Sequence, residues 1–67
     1  MNLVVNGKKR EAPDGTTISD LVAELGFRDR NVVVELNREP LDRESYATKL
    51  SAGDVIEIVR AVAGGSR

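Results

Sequence analysis

Met1, Leu3 and Val5 alternate with Asn2, Val4 and Asn6 at the start of the chain. A period of two predicts a strand with one face turned inward. Asn6-Gly7 follows, a pair suited to the type I′ turn, whose two central residues need positive φ. Lys8 to Ala12 then reads as the returning strand, polar enough to lie at a sheet edge. Pro13-Asp14-Gly15 closes this unit as a turn. The period changes next. Ile18, Leu21, Val22 and Leu25 fall at i, i+3, i+4 and i+7, a single apolar stripe on a helix. Thr17 is placed to cap it, with Asp20 three residues on in an approximate capping box. Gly26 supplies a left-handed stop. So short a helix is not stable alone and must lie on another element.

Val32-Val33-Val34-Glu35-Leu36 is a β-branched strand, and Asn37-Arg38 turns it. Glu39-Pro40-Leu41 leaves in extended form, and Arg43 to Tyr46 suits a short helical turn. Ser51-Ala52-Gly53-Asp54 is a further turn into the last strand, Val55 to Val59. The order is hairpin, helix, strand, short irregular section and final strand. One helix covering one face of a small mixed sheet is an α+β arrangement. The final strand is expected beside the first and parallel to it, which makes both central. The expected core is Leu3, Val5, Leu21, Leu25, Val34, Leu36, Leu50, Ile56 and Ile58. With Ile56 and Ile58 inward, Glu57 and Val59 point outward, and so do Val4 and Val33. These three valines either form an apolar partner surface leading toward the tail or are scattered β-propensity choices.

At 67 residues the chain holds one small domain. A core this thin leaves no room for a deep catalytic pocket. Ten basic and eleven acidic residues give a net charge of −1, with no excess of cations for nucleic acid. Lys8-Lys9-Arg10 is the one basic run, and it reads as a solvated hairpin edge. The chain has no Cys and no His. That removes disulfides, thiol nucleophiles, zinc sites of the usual kind and histidine-based triads. No signal pattern opens the chain and no apolar run approaches about 18 residues. The expectation is a soluble, cytoplasmic protein that binds neither nucleic acid nor membrane, and no metal.

The tail is the remaining candidate for chemistry. Val55-Ile56-Glu57-Ile58-Val59-Arg60 runs into Ala61-Val62-Ala63-Gly64-Gly65, followed by Ser66-Arg67. A glycine pair has no Cβ to obstruct entry into a narrow cleft. The alternative is a frayed terminus. The expected domain limits are 1–63 for the folded body and 64–67 for a flexible tail.

These pieces together resemble the ThiS family, the sulfur carrier proteins of thiamine biosynthesis, within the ubiquitin-like β-grasp superfamily. The residues that carry the resemblance are Asn6, Thr17 to Val22 with Leu25-Gly26, and Val34-Glu35-Leu36-Asn37-Arg38-Glu39. Gly53 to Val62 and Gly64-Gly65 complete it. The resemblance implies a β-grasp fold and a protein acted on by enzymes rather than an enzyme. It implies adenylation and thiocarboxylation of the carboxylate of Gly65, with Gly64 and Ala63 giving the tail access. It implies as partners an E1-like adenylyltransferase of the ThiF type, a sulfur donor protein and a thiazole synthase of the ThiG type. ATP is used by the activating partner, and the chain itself binds no cofactor. Val4, Val33, Val59 and Val62 are the expected partner-docking residues. One departure stands out: the family's reactive form ends at the second glycine, yet Ser66 and Arg67 follow here. Either a protease removes them, or they are a cloning remnant, or the homologue is no carrier. Other acceptors, namely homocysteine, cysteine or molybdopterin, and a passive β-grasp binding module are the competing readings.

Overall fold

The computed structural model describes residues 1–28 and 31–61. Strands β1 (Asn2–Val5) and β2 (Lys8–Glu11) form the first hairpin, and helix α1 spans Ile18–Glu24. Strands β3 (Val32–Leu36) and β4 (Glu39–Leu41) form the second hairpin. A 3₁₀ turn, Arg43–Ser45, precedes β5 (Val55–Arg60). The sheet has five strands in the order β2-β1-β5-β3-β4. β5 lies in the middle, parallel to β1 and antiparallel to β3. The expected parallel pairing of first and last strands is therefore present.

Both hairpin turns use left-handed backbone. Asn6 and Gly7 have φ of 52° and 82°, as the type I′ reading requires. Asn37 and Arg38 have φ of 52° and 73°. An arginine is a poor residue there, because its Cβ crowds the following carbonyl. The two asparagines do further work at matching places. The Asn6 backbone N–H donates to the Ile56 carbonyl at 2.9 Å. Its side-chain Oδ1 then accepts from the Ile58 N–H at 2.8 Å, where β1 has already turned away. On the opposite side of β5, Asn37 N–H donates to the Val55 carbonyl at 2.7 Å. Asn37 Oδ1 accepts from Val55 N–H at 2.9 Å. Each asparagine replaces a strand carbonyl that its own turn has taken out of line.

The helix ends follow the sequence reading closely. Thr17 Oγ1 accepts from the Asp20 N–H at 3.1 Å, and Asp20 Oδ2 accepts from the Thr17 N–H at 3.0 Å. This is a complete capping box. At the other end Gly26, at φ 89°, donates to Ala23, and Phe27 donates to Val22. That pair of bonds is a Schellman motif and turns the chain sharply out of the helix.

The core lies between α1 and one face of the sheet. Leu3, Val5, Leu21, Val34, Leu50, Ile56 and Ile58 are buried as expected, joined by Ile18, Val22, Ala12, Val32 and Tyr46. Leu25 and Leu36 are only half-buried. Each stands where its element ends, Leu25 at the helix C-cap and Leu36 at the last residue of β3, so solvent reaches one side. Two corrections concern the section after β3. Glu39-Pro40-Leu41 is a strand, with Pro40 opposite Glu35. Proline is tolerated there because β4 is an edge strand and needs no outward N–H. Tyr46 packs inward because its carbonyl accepts the Ser19 N–H at 3.0 Å, which ties this loop beneath the start of α1. The basic run is solvated at Lys8 and Lys9, while Arg10 reaches across to Glu24 on the helix at 2.6 Å.

Candidate functional site

β5 passes through the centre of the sheet and delivers the chain to the tail. Its last described residues are held along one edge by the β3 side and on the helix face by Phe27. Arg60 pairs with Val32 in the β3 ladder, and the Ala61 N–H donates to the Asn31 carbonyl at 2.7 Å. Arg60 shares the face of Ile58, the helix-covered one, but lies where the helix has already stopped. Its guanidinium stands 5.8 Å from the centre of the Phe27 ring. Phe27 is half-buried against the core and is brought there by the Gly26 turn. The exit is therefore a defined point in the fold. Gly65, Gly64, Ala63 and Val62, the expected tail residues, lie outside the described residues, and so does the expected domain boundary after residue 63.

The open face of the sheet is the second feature. Val33 and Val59 sit directly opposite each other across β3 and β5, 51% and 55% exposed. Beside them Glu35 faces Glu57. These four residues line one shallow depression. Two carboxylates in register on neighbouring strands repel by a few tenths of a kcal/mol to about 1 kcal/mol. Val4 also points to this face but is half-buried, and its neighbour on β5 is Val55 rather than Val59. The Glu57 row separates them. The expected trio is thus one close pair, Val33 with Val59, and a second pair, Val4 with Val55, at the other end of β5. Val55 is 38% exposed and was missing from the expected set. Its phase with Glu57 and Val59 was visible in the sequence, but its proximity to Val4 required the β1–β5 register.

Among the described residues no group of three or more His, Cys, Asp or Glu is placed to hold a metal ion. No helix among them is long and apolar enough to cross a membrane. The acidic residues near α1 are committed elsewhere: Asp20 to the cap and Glu24 to Arg10.

The family model described as ThiS family matches residues 3–65, nearly the whole chain, and its match ends on the second glycine. This chain belongs to the ThiS family. A sulfur carrier protein ThiS from Bacillus subtilis is 42% identical over 65 residues, covering 94% of this chain and 98% of that protein. A thiazole synthase from Paramagnetospirillum magneticum is 42% identical over 67 residues, which is 98% of this chain and 21% of that protein. The chain spans about a fifth of the length of the thiazole synthases it matches. Among solved structures, the crystal structure of a thiamine biosynthesis protein (ThiS) from Geobacter metallireducens superposes with a TM-score of 0.79 at 36% identity. It covers 97% of this chain and all of that one. A five-stranded mixed sheet with one covering helix is the ubiquitin-like β-grasp fold of these ThiS neighbours.

Proposed function

We propose that this chain is a sulfur carrier of thiamine biosynthesis whose working atom is the carboxylate of Gly65. The observation that carries the reading is the ThiS match running through Gly64-Gly65 and ending there. Gly65 is followed by Ser66, so its carbonyl is an amide and offers no carboxylate to activate. A protease of the cell hydrolyses the Gly65–Ser66 bond first. A ThiF-type partner then joins the freed carboxylate to the AMP of ATP, releasing pyrophosphate. Adenylation is needed because a bare carboxylate repels nucleophiles and has no good leaving group. The terminal sulfur of a donor persulfide attacks the acyl carbon, and AMP departs. A second thiol cleaves the resulting acyl disulfide, leaving the thiocarboxylate at Gly65 and a disulfide on the donor side.

The protein is the substrate in every one of these steps. Its contribution is a rigid body, a fixed exit at Ala61 and two terminal residues without Cβ atoms. The absence of cysteine leaves the sulfur no side-chain thiol to occupy. A thiazole synthase of the ThiG type is the proposed recipient. Relatives of that name include a stretch similar to nearly all of this chain, as expected of a carrier and an acceptor that meet during the reaction. The Val33–Val59 pair beside the Glu35–Glu57 row supplies a partner-docking surface close to the strand that feeds the tail.

Mass spectrometry tests this reading. A chain ending at Gly65, incubated with a ThiF-type enzyme, ATP and a persulfide donor, gains about 16 Da, sulfur replacing oxygen at the acyl carbon. The chain that continues through Ser66-Arg67 stays unmodified. A trimmed chain that gains nothing while the same enzyme modifies its own carrier removes the carrier reading. Gly65→Val keeps the fold and loses activation, because the added side chain blocks the approach to the nucleotide.

A further inference from the structure

We infer that Phe27 and Arg60 form a latch that sets the direction in which the tail leaves the body, and that both are positioning residues for activation at Gly65. The inference rests on the carrier reading above. Four residues separate Ala61 from the end of Gly65. At a maximum of about 3.5 Å per residue, Gly65 reaches no further than about 14 Å from Ala61. For a chain drawn out straight in a partner's cleft, a deflection of about 30° at Ala61 moves the tip by about 7 Å over that length. A shift of this size takes a reacting atom out of line with its partner. The exit direction is therefore a determinant of the reaction, although nothing at the exit touches the reacting atoms.

Three contacts fix that direction. The β3 ladder holds the backbone on one side of the strand only, through Arg60 opposite Val32 and Ala61 N–H on Asn31. β1 gives no support there, because its pairing with β5 covers Val55 and Ile56 and its last contact is the Asn6 side chain on Ile58. A strand end bound along one edge can still twist about that edge. The Arg60 guanidinium over Phe27 ties it down on the helix face. Phe27 is rigidly placed by the Gly26 turn and by its own N–H bond to Val22 at 3.1 Å. Charge and ring together match a cation–π contact at an exposed site, for which 0.5–1 kcal/mol converts to about a two- to five-fold preference for the latched exit.

The test uses the chain trimmed at Gly65, with Arg60→Gln, Phe27→Leu, the double variant and Arg60→Lys. Adenylation kinetics with a ThiF-type enzyme and hydrogen exchange of the Ala61 amide are measured on each. The latch predicts that either single change raises KM by up to about two- to five-fold with kcat unchanged, because a smaller fraction of the free chain has the exit that fits the partner and the bound chain is latched in every case. The double variant is no worse than the poorer single, since both remove one contact. Arg60→Lys keeps most of the effect. Ala61 exchange accelerates in both singles by a similar factor. Multiplying KM effects in the double variant, or unchanged Ala61 exchange in either single, overturns the latch. If trimmed wild type is not adenylated at all, the carrier reading fails, while the Ala61 exchange still decides whether Phe27 and Arg60 hold the exit.

Discussion

Replacing Asn6 by glycine separates the two jobs that this residue performs. Glycine adopts the φ of 52° at no steric cost, so the turn survives. What disappears is the Oδ1 acceptor, 2.8 Å from the Ile58 N–H in the central strand. Ile58 is 2% exposed and its bond to Asn6 is part-buried, so water reaches the vacated amide less readily than it reaches the exposed Asn37 bond. An unpaired buried donor costs about 1–3 kcal/mol. The greater chain freedom of glycine in the unfolded state and its better fit to positive φ are of similar size and opposite sign. The net expectation is a loss of about 1–3 kcal/mol, which for a domain of this size lowers Tm by roughly 4–8 °C per kcal/mol. Asn37→Gly is the matched control, with the same φ and the same kind of bond to a β5 amide. Val55 is 38% exposed, and the Asn37 Nδ2 bond to Asp54 at 3.2 Å is exposed as well. Water substitutes at both places, so the control loses only about 0.5–1 kcal/mol. Urea denaturation of both variants, with amide exchange at Ile58, measures the difference. Equal losses in the two variants, or an Ile58 amide as protected as in wild type, would refute the claim that the Asn6 side chain completes the parallel ladder.

Gly26→Ala is expected to destabilise the fold by about 1–2 kcal/mol in thermal or urea melts. The position has φ 89° with no atom within 4 Å of the added Cβ, so the loss is backbone strain without a clash. Arg38→Gly relieves the opposite fault, φ 73° on a side-chain-bearing residue, and denaturation should show a gain of up to about 1 kcal/mol. The pair Val33→Thr and Val59→Thr keeps β-branched shape on an exposed face, so stability changes by no more than about 0.5 kcal/mol. Half-exposed valines have about half of their apolar gain still to make, so titration calorimetry with a partner that docks on this face should show about 1.5 kcal/mol lost, roughly ten-fold in Kd.

Local chemistry explains which elements were legible. Asn6-Gly7, Thr17 with Asp20, and Gly26 each meet a backbone demand within a few residues, and all three appear in the structure as the sequence implied. The helix stripe was equally plain, since Ile18, Leu21 and Val22 fall on one face at any orientation of the domain. Glu39-Pro40-Leu41 was obscured by its proline, which argues against a strand until its edge position is known. Tyr46 carried no periodic signal, because its burial depends on a loop folding back beneath α1.

The sequence by itself determined the turns, the caps, most inward residues of β1, β3 and β5 and the glycine pair, because these rest on φ preferences and on side-chain periods of two and 3.6. It also determined the lack of thiol and imidazole chemistry, through the absence of Cys and His. Only the tertiary structure decided which outward residues become neighbours. Val33 meets Val59, Glu35 meets Glu57 and Val4 meets Val55 through the register of β5 with β3 and β1. It decided too that Arg60 comes to rest over Phe27 at the start of the tail. Contacts between residues more than twenty positions apart have no signature in local pattern, since any register that buries Ile56 and Ile58 satisfies the period of the strand.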